Sequence, residues 1–416
     1  SIYSVVDGFF VSNFAGKTPF AAINLIMPVL MILGTVGFMF GTGGTALVAM
    51  TYGEGNKEKA NSYFSLLVYT AFLLGIIFAV LGFVFIRPIA VLLGAEGALL
   101  ENCVLYSRII LLALPLYILQ MMFQSFFVAA EKPNLGLIVT ISSGATNMIL
   151  DAVLVISLPQ EYKLAGAAAA TAISQTVGGI IPLFYFFRKN SSFLRLGKTQ
   201  FNGKAIIKAC ANGSSEFMSN ISMSVVGMLY NSQLMKFAGE NGIAAYGVMM
   251  YVSMIFAAVF VGYSVGTAPV VSYHFGAGNS PELKGLLKKS LIIIAVFGVG
   301  MVAAAELTAA PLSKFFVGYD KELYELTASG FRIFAISFLF MGFGIFISGF
   351  FTALNDGATS AIVSFLRSLV FQSVAVMLLP AIFKIDGIWI SVVVAELAAL
   401  AVGFAFLIAK KKKYNY

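Results

Sequence analysis

Residues 44–56 read GTALVAMTYGEGN, and residues 266–279 read GTAPVVSYHFGAGN. Other matches surround this one. FAG at 14–16 returns at 237–239, Pro88 is answered by Pro311, and Arg108 in YSRII by Arg332 in GFRIF. FFVAA at 126–130 returns as FFTAL at 350–354, and KLAG at 163–166 as KIDG at 384–387. Every pair is separated by 221 to 224 residues. So steady an offset along the whole chain marks an internal duplication, which sets the frame in which each motif is read.

Composition says which solvent the duplicated chain inhabits. Of its 416 residues 60% are apolar and 11% are charged, and mean hydropathy is +0.94. Soluble domains carry about a quarter charged residues, so this chain could not cover a water-facing surface. Its apolar blocks are long enough as helix to cross about 30 Å of hydrocarbon. They predict an all-α membrane protein with spans near 1–15, 19–51, 60–85, 98–130, 135–157 and 164–187. Six more lie near 205–237, 243–275, 287–310, 323–354, 358–381 and 387–409. The chain opens on SIYSVVDGFF, already apolar, so the first helix is expected to be truncated at its start, and the first span to serve as its own insertion signal.

The division is an N-lobe at 1–187, a polar linker at 188–204 and a C-lobe at 205–416. An even number of spans per half brings both halves in from the same side. The predicted architecture is twelve helices in two pseudo-symmetric six-helix lobes about an axis along the membrane normal. The net charge of +8 is explained by orientation rather than by nucleic acid. Placing the linker inside puts Lys57, Lys59, Lys132, Arg188, Lys189, Arg195, Lys198, Lys284 and Lys410–Lys413 on that face, with a minority of the basic residues outside. The positive-inside rule then predicts a multi-pass protein of the inner (cell) membrane with both termini cytoplasmic. Cys103 and Cys210 are far apart, which argues against a disulfide or metal framework. The lone histidine, His274, reads as a surface residue at a helix end.

No ATPase motif is visible: GKT at 16–18 has Val11 where a Walker motif needs glycine. Uphill transport would therefore draw on an ion gradient, and charges within spans are where to look, since each is costly to insert and tends to be functional. Asp7 lies in the first span, and Asp151 lies in the fifth, four residues after Asn147 on one helical face. In the second half these acids are matched by Tyr230 and Ala375, so the carboxylates belong to one lobe. Two carboxylates in one low-dielectric lobe favour a proton carrier. With Asn147 and Thr171 they would equally suit a hard cation such as Na⁺. Both ions stay open, and no other metal or cofactor is expected.

In the seventh span Glu216 sits in the polar run NGSSEFMSN, able to neutralise an organic cation or to pair with Arg367. Glu306 and Glu396, nearer predicted span ends, read as packing or snorkelling acids. Arg108 and Arg332, as repeat partners, suggest a shared structural task. Met218, Met223, Tyr230, Met250 and Met254 populate spans seven and eight. Flexible thioethers repack around ligands of different shape and aromatic faces attract cations, so these residues, with Glu216 and Arg367, are the substrate-binding candidates.

With VVDGFFVSNFAG in the first span, GTGGTALVAMTYGEGN ending the second, Asn147-x-x-x-Asp151 in the fifth and LAGAAAATAISQ in the sixth, the chain resembles the multidrug and toxic compound extrusion (MATE) transporters of the MOP flippase superfamily. The resemblance covers essentially the whole chain. It implies a V-shaped exporter exchanging H⁺ or Na⁺ for amphiphilic, often cationic compounds by alternating access. It also implies that Asp7, Asn147, Asp151 and Thr171 form the cation-coupling site. Some members use a second-lobe acid in span ten; here 323–354 has no mid-membrane acid, which favours coupling in the first lobe, with H⁺ slightly preferred. The alternative within the superfamily is a flippase for a lipid-linked precursor, which would line its cavity with several basic residues. A membrane enzyme would need acids or histidines clustered on a surface loop, where only scattered Lys and Glu occur. The expected partners are a small amphiphilic substrate and the lipid bilayer, with the protein a monomer.

Overall fold

The computed structural model describes residues 10–318 and 320–416, and among them no strand occurs. A π-helical turn, Val11–Ala15, leads into five long helices. These are α1 (Lys17–Gly53), α2 (Lys57–Leu92), α3 (Gly97–Ala129), α4 (Pro133–Ser157) and α5 (Lys163–Phe187). After the linker come α6 (Gly203–Gly276), α7 (Ser280–Val317), α8 (Lys321–Ala335), α9 (Phe338–Ala353), α10 (Gly357–Phe365), a π-helical turn at Leu366–Phe371, and α11 (Gln372–Tyr414). Two compact units result: residues 1–48 with 56–210, and residues 49–55 with 211–416.

The irregular points explain how these helices serve as membrane spans. α6 runs for 74 residues but breaks at Gly239, with φ 59° and ψ −147°, into two helices, of which the second, Asn241–Gly276, is long and apolar enough to cross a membrane. α8 and α9 meet at 48° and make one bent span. α10 and the π-helical turn continue into α11, which breaks at Lys384 with φ 53° and ψ −128°. That break again divides two helices.

The duplication is visible in the backbone. Gly16, with φ 109°, separates the π-helical turn from α1 just as Gly239 breaks α6, and both are the glycine of FAG. Glycine is suited to these positions because it has no Cβ to clash at positive φ. α2 and α7 each begin on an asparagine cap: Asn56 Oδ1 accepts from the Lys59 N–H (3.1 Å), and Asn279 Oδ1 from the Glu282 N–H (3.3 Å). α3 and α9 end alike, with Glu131 at φ 59° and Asn355 at φ 57°. The amides of Glu131 and Lys132 donate to Val128 and Phe127, and those of Asn355 and Asp356 to Thr352 and Phe351. Each pair of turns is the same turn made twice.

Packing in the first unit rests on small residues and rings. Gly75 lies against Pro115 and Gly179 against Leu116, so helices approach at backbone distance. Phe64, Phe123, Phe126 and Phe186 form a fully buried aromatic cluster with centroids 4.9–6.4 Å apart. In the second unit Trp389, Phe331, Phe334 and Phe338 are buried to 2% exposure or less. There too, Gly53 packs on the Tyr273 carbonyl and Gly276 on the Met50 carbonyl, with no room for a Cβ at either.

Candidate functional site

Along α4, Ser143, Asn147 and Asp151 recur every fourth residue and therefore line one face. Their exposures are 5%, 0% and 0%. That face packs on α5, whose LAGAAAAT run admits close approach: Gly166 sits against Leu154 and Leu158. The contact brings Asn147 Nδ2 to 3.3 Å from Thr171 Oγ1, to which it donates. One turn on, Ser143 Oγ donates to the Ser174 carbonyl (2.8 Å), Gln120 Nε2 of α3 donates to Ser143 Oγ (3.2 Å), and Ser174 Oγ donates to the Thr171 carbonyl (2.9 Å). Gly178 is bare because Gln120 fills the space its Cβ would take.

Among the described residues, the first unit thus holds a buried polar seam with one carboxylate, and it brings together three of the four coupling candidates: Asn147, Asp151 and Thr171. Asp7 lies outside the described residues. Asn147 Oδ1 accepts no hydrogen bond among the described residues. Such a seam offers neutral and anionic oxygens in a low-dielectric setting, the donor chemistry that a proton or a hard cation requires. Sequence reasoning missed Gln120, Ser143 and Ser174. The four-residue spacing from Ser143 to Asn147 was the available signal.

The second unit differs at the corresponding positions. At the 224-residue offset Gln120 becomes Gly344, Ser143 becomes Arg367, Asn147 becomes Phe371 and Asp151 becomes Ala375. Arg367 Nε donates to Glu396 Oε2 at 2.8 Å, with side-chain exposures of 18% and 3%. A Cβ on Gly344 would stand 2.6 Å from Arg367 Cδ, so the glycine accommodates the arginine stem. This corrects the reading of Glu396 as a snorkelling or packing acid near a span end. Glu396 lies about 18 Å beyond the break at Lys384, at 1.5 Å per residue, and is buried among packed helices rather than turned toward a span end. Its acidity is spent on Arg367, whose hydrogen-bonded carboxylate is Glu396 and not Glu216. Glu216 is half-buried and within electrostatic reach of Arg367.

Of the remaining candidates, Tyr230 is buried, stacks on Tyr246 with centroids 5.2 Å apart, and donates to Gln372 Oε1 (2.8 Å). Met250 is half-buried, whereas Met218, Met223 and Met254 are exposed. The repeat arginines have diverged as well. Arg332 faces Glu306 at 3.9 Å, whereas Arg108 lies over the Phe83 ring at 4.7 Å from its centroid. A task shared by symmetry is therefore not what they perform.

The apolar, duplicated helices are those of a multi-pass membrane protein, and the relatives it matches are transporters rather than enzymes. The MatE family model matches residues 1–153 and 217–378, and the chain belongs to the MatE family. It is 27% identical to multidrug export protein MepA of Staphylococcus haemolyticus over 396 residues, covering 95% of this chain and 86% of that one. To MepA of Staphylococcus aureus strain MRSA252 it is 26% identical over 405 residues, covering 96% and 88%. In fold it is similar to an outward-facing multidrug resistance MATE transporter of the MOP superfamily (TM-score 0.91, 22% identity, 99% and 92% covered). It is similar also to a MOP superfamily transporter from Pyrococcus furiosus (TM-score 0.90, 22% identity, 100% and 92% covered). The fold is that of the MATE transporters.

Proposed function

We propose that this chain is a cation-coupled antiporter that exports amphiphilic, commonly cationic compounds by alternating access. The coupling ion, H⁺ or Na⁺, is held in the first unit by Asp151 and Asn147 with Thr171 and Asp7. One observation carries the reading: a carboxylate at 0% exposure stands on α4 where the duplicated half has Ala375. Packing that is satisfied by alanine in one copy does not need an acid in the other. Binding of the ion neutralises the seam, favours the conformation that releases substrate outward, and returns the ion to the cytoplasm on the reverse stroke.

Glu216, with Met218, Met223, Tyr230, Met250, Met254 and Arg367, remains the set from which the substrate contacts are drawn. Pairing of Arg367 with Glu396 supports a cationic cargo over a phosphate-bearing lipid precursor, because the guanidinium is already neutralised. The kinship with MepA multidrug exporters supports drugs as the substrate class. The linker and the Lys410–Lys413 end lie on the cytoplasmic side, as the excess of lysine and arginine there requires.

The test uses proteoliposomes loaded with a fluorescent organic cation, with a pH gradient or a Na⁺ gradient imposed separately. One gradient drives efflux in the wild type, and Asp151→Asn abolishes that response by 10-fold or more while the protein stays folded. Undiminished gradient-driven efflux by Asp151→Asn refutes the site. Efflux that needs neither gradient refutes the coupling.

A further inference from the structure

The first unit carries a groove that ion coupling does not use. It opens on the outside of α2 and α3, encloses about 390 Å³, and is lined by Phe83, Leu105, Arg108 and Leu112, with Glu101 at its rim. Leu105, Arg108 and Leu112 fall at i, i+3 and i+7 on α3 and so share one face. Leu105 is 41% exposed, Leu112 74% and Phe83 41%. The Arg108 guanidinium sits over the Phe83 ring. Among the described residues it has no carboxylate within ion-pair distance. Glu101 is occupied, because Arg87 donates to both its oxygens at 2.6 and 3.4 Å. The groove therefore has one uncompensated positive charge above an apolar floor.

The duplication shows that this is not an obligatory feature of the fold. In the second unit the position equivalent to Phe83 is Glu306, and it neutralises Arg332. Glu325, equivalent to Glu101, is engaged by Lys321. One copy supplies an internal anion to its arginine; the other puts a ring in its place and leaves the anion to come from outside. Depth identifies the source. α3, with 33 residues, is about 50 Å long and overhangs a 30 Å hydrocarbon core by about 10 Å at each end. Arg108 lies about 16 Å from the Gly97 end. That places its Cα about 6 Å below the interface, within snorkelling reach of the lipid phosphates.

We propose that the α2/α3 groove binds an anionic glycerophospholipid of the leaflet at the Leu93–Glu96 loop. Its phosphate is held by Arg108 and an acyl chain lies along Leu105 and Leu112. The net positive charge favours a headgroup without an ammonium, as basic pockets between spans do for acidic lipids.

Native mass spectrometry of the purified full chain, titrated with phosphatidylglycerol or phosphatidylcholine, tests this. The wild type should retain one phosphatidylglycerol at least 5-fold more tightly than phosphatidylcholine. Arg108→Gln should lose that preference. Phe83→Glu should lose it as deeply, since it installs the second unit's ion pair while keeping the arginine. Phe83→Leu and Arg332→Gln should keep affinity within about 3-fold, which separates charge neutralisation from general disturbance. Thermal unfolding confirms that each variant is folded. Unchanged phosphatidylglycerol retention in folded Arg108→Gln overturns the proposal. So does a loss in Phe83→Leu as deep as in Phe83→Glu, and so does equal competition by inorganic phosphate, which would make the site a small-anion site rather than a lipid site.

Discussion

Arg367 and Glu396 are both needed or neither is. A buried ion pair is costly to half-remove, because the surviving charge is left in a low dielectric without its partner; the usual penalty is about 3–5 kcal/mol. Glu396→Gln should therefore destabilise the protein by about 3 kcal/mol, read as a lowered unfolding midpoint in detergent. Replacing both partners, as Arg367→Met with Glu396→Leu, should recover most of that loss. If the double variant is no more stable than the single one, the pair is not the cause. The Gln120–Gly178 contact invites a similar experiment. Gly178→Ala should cost about 1–3 kcal/mol by overpacking, and Gln120→Ala should relieve it. At this scale part of the candidate site was legible. The four-residue spacing of Asn147 and Asp151 on one helix put them together, and a threonine in the next apolar span gave Thr171. Gln120, Ser143 and Ser174 were not legible, since single uncharged polar residues in a span look like ordinary packing until their neighbours are known. Glu396 was misread because what buries it is a partner, Arg367, 29 residues away in sequence, which no spacing along a single span reveals.

Turns rather than helices hold the most informative elements. Glu131 and Asn355 close equivalent turns at φ 59° and 57°, but asparagine visits this left-handed region readily, whereas glutamate clashes there. Glu131→Gly should stabilise the first unit by about 1 kcal/mol, and Asn355→Gly should change little; a differential scan of the two variants decides it. The turn after Asn355 carries a device the first unit lacks. Asp356 is 9% exposed, caps α10 through the Thr359 N–H (3.2 Å), accepts from the Tyr414 hydroxyl (2.7 Å) and lies 3.5 Å from Lys410. Burial works to raise its carboxyl, but these hydrogen bonds and the lysine outweigh it and bring the carboxyl below its ordinary value of 3.8. A depressed carboxyl stabilises fully above its unfolded value and loses that contribution as pH falls through the folded one. Asp356→Asn should thus cost about 2 kcal/mol at pH 7, the worth of a hydrogen bond to a charged group. The difference from the wild type should shrink as pH drops below about 4. A gap that stays constant down to pH 3 would remove the carboxylate from the account.

The whole molecule was the most legible level, because a duplication is written in the order of residues and needs no contact to reveal it. Apolar blocks gave the helices, and the offset gave the duplication that the paired caps and turns repeat. What the blocks could not give was the continuity of the chain through its turns. α6 passes from one helix to the next with a single break at Gly239, and α11 does so at Lys384, because a short connection can stay helical on both sides of one reversed residue. Orientation belongs to this scale too. With Cys103 and Cys210 replaced by serine, a cysteine introduced at Lys198 in the linker should react with a membrane-impermeant maleimide in opened vesicles exposing the cytoplasmic face. It should be at least 10-fold less reactive in intact cells. Equal labelling in both would reverse the topology.

Gly53 and Gly276 are themselves repeat partners, and each rests on a carbonyl of the other's helix. At each of these two points a glycine meets main chain, so no side chain there can change rotamer to make room. The spacing at that point is a property of the peptide unit and cannot be adjusted by choosing a different side chain. A single methyl group at either position would have to displace an entire rod, and the two positions should be equally intolerant of it.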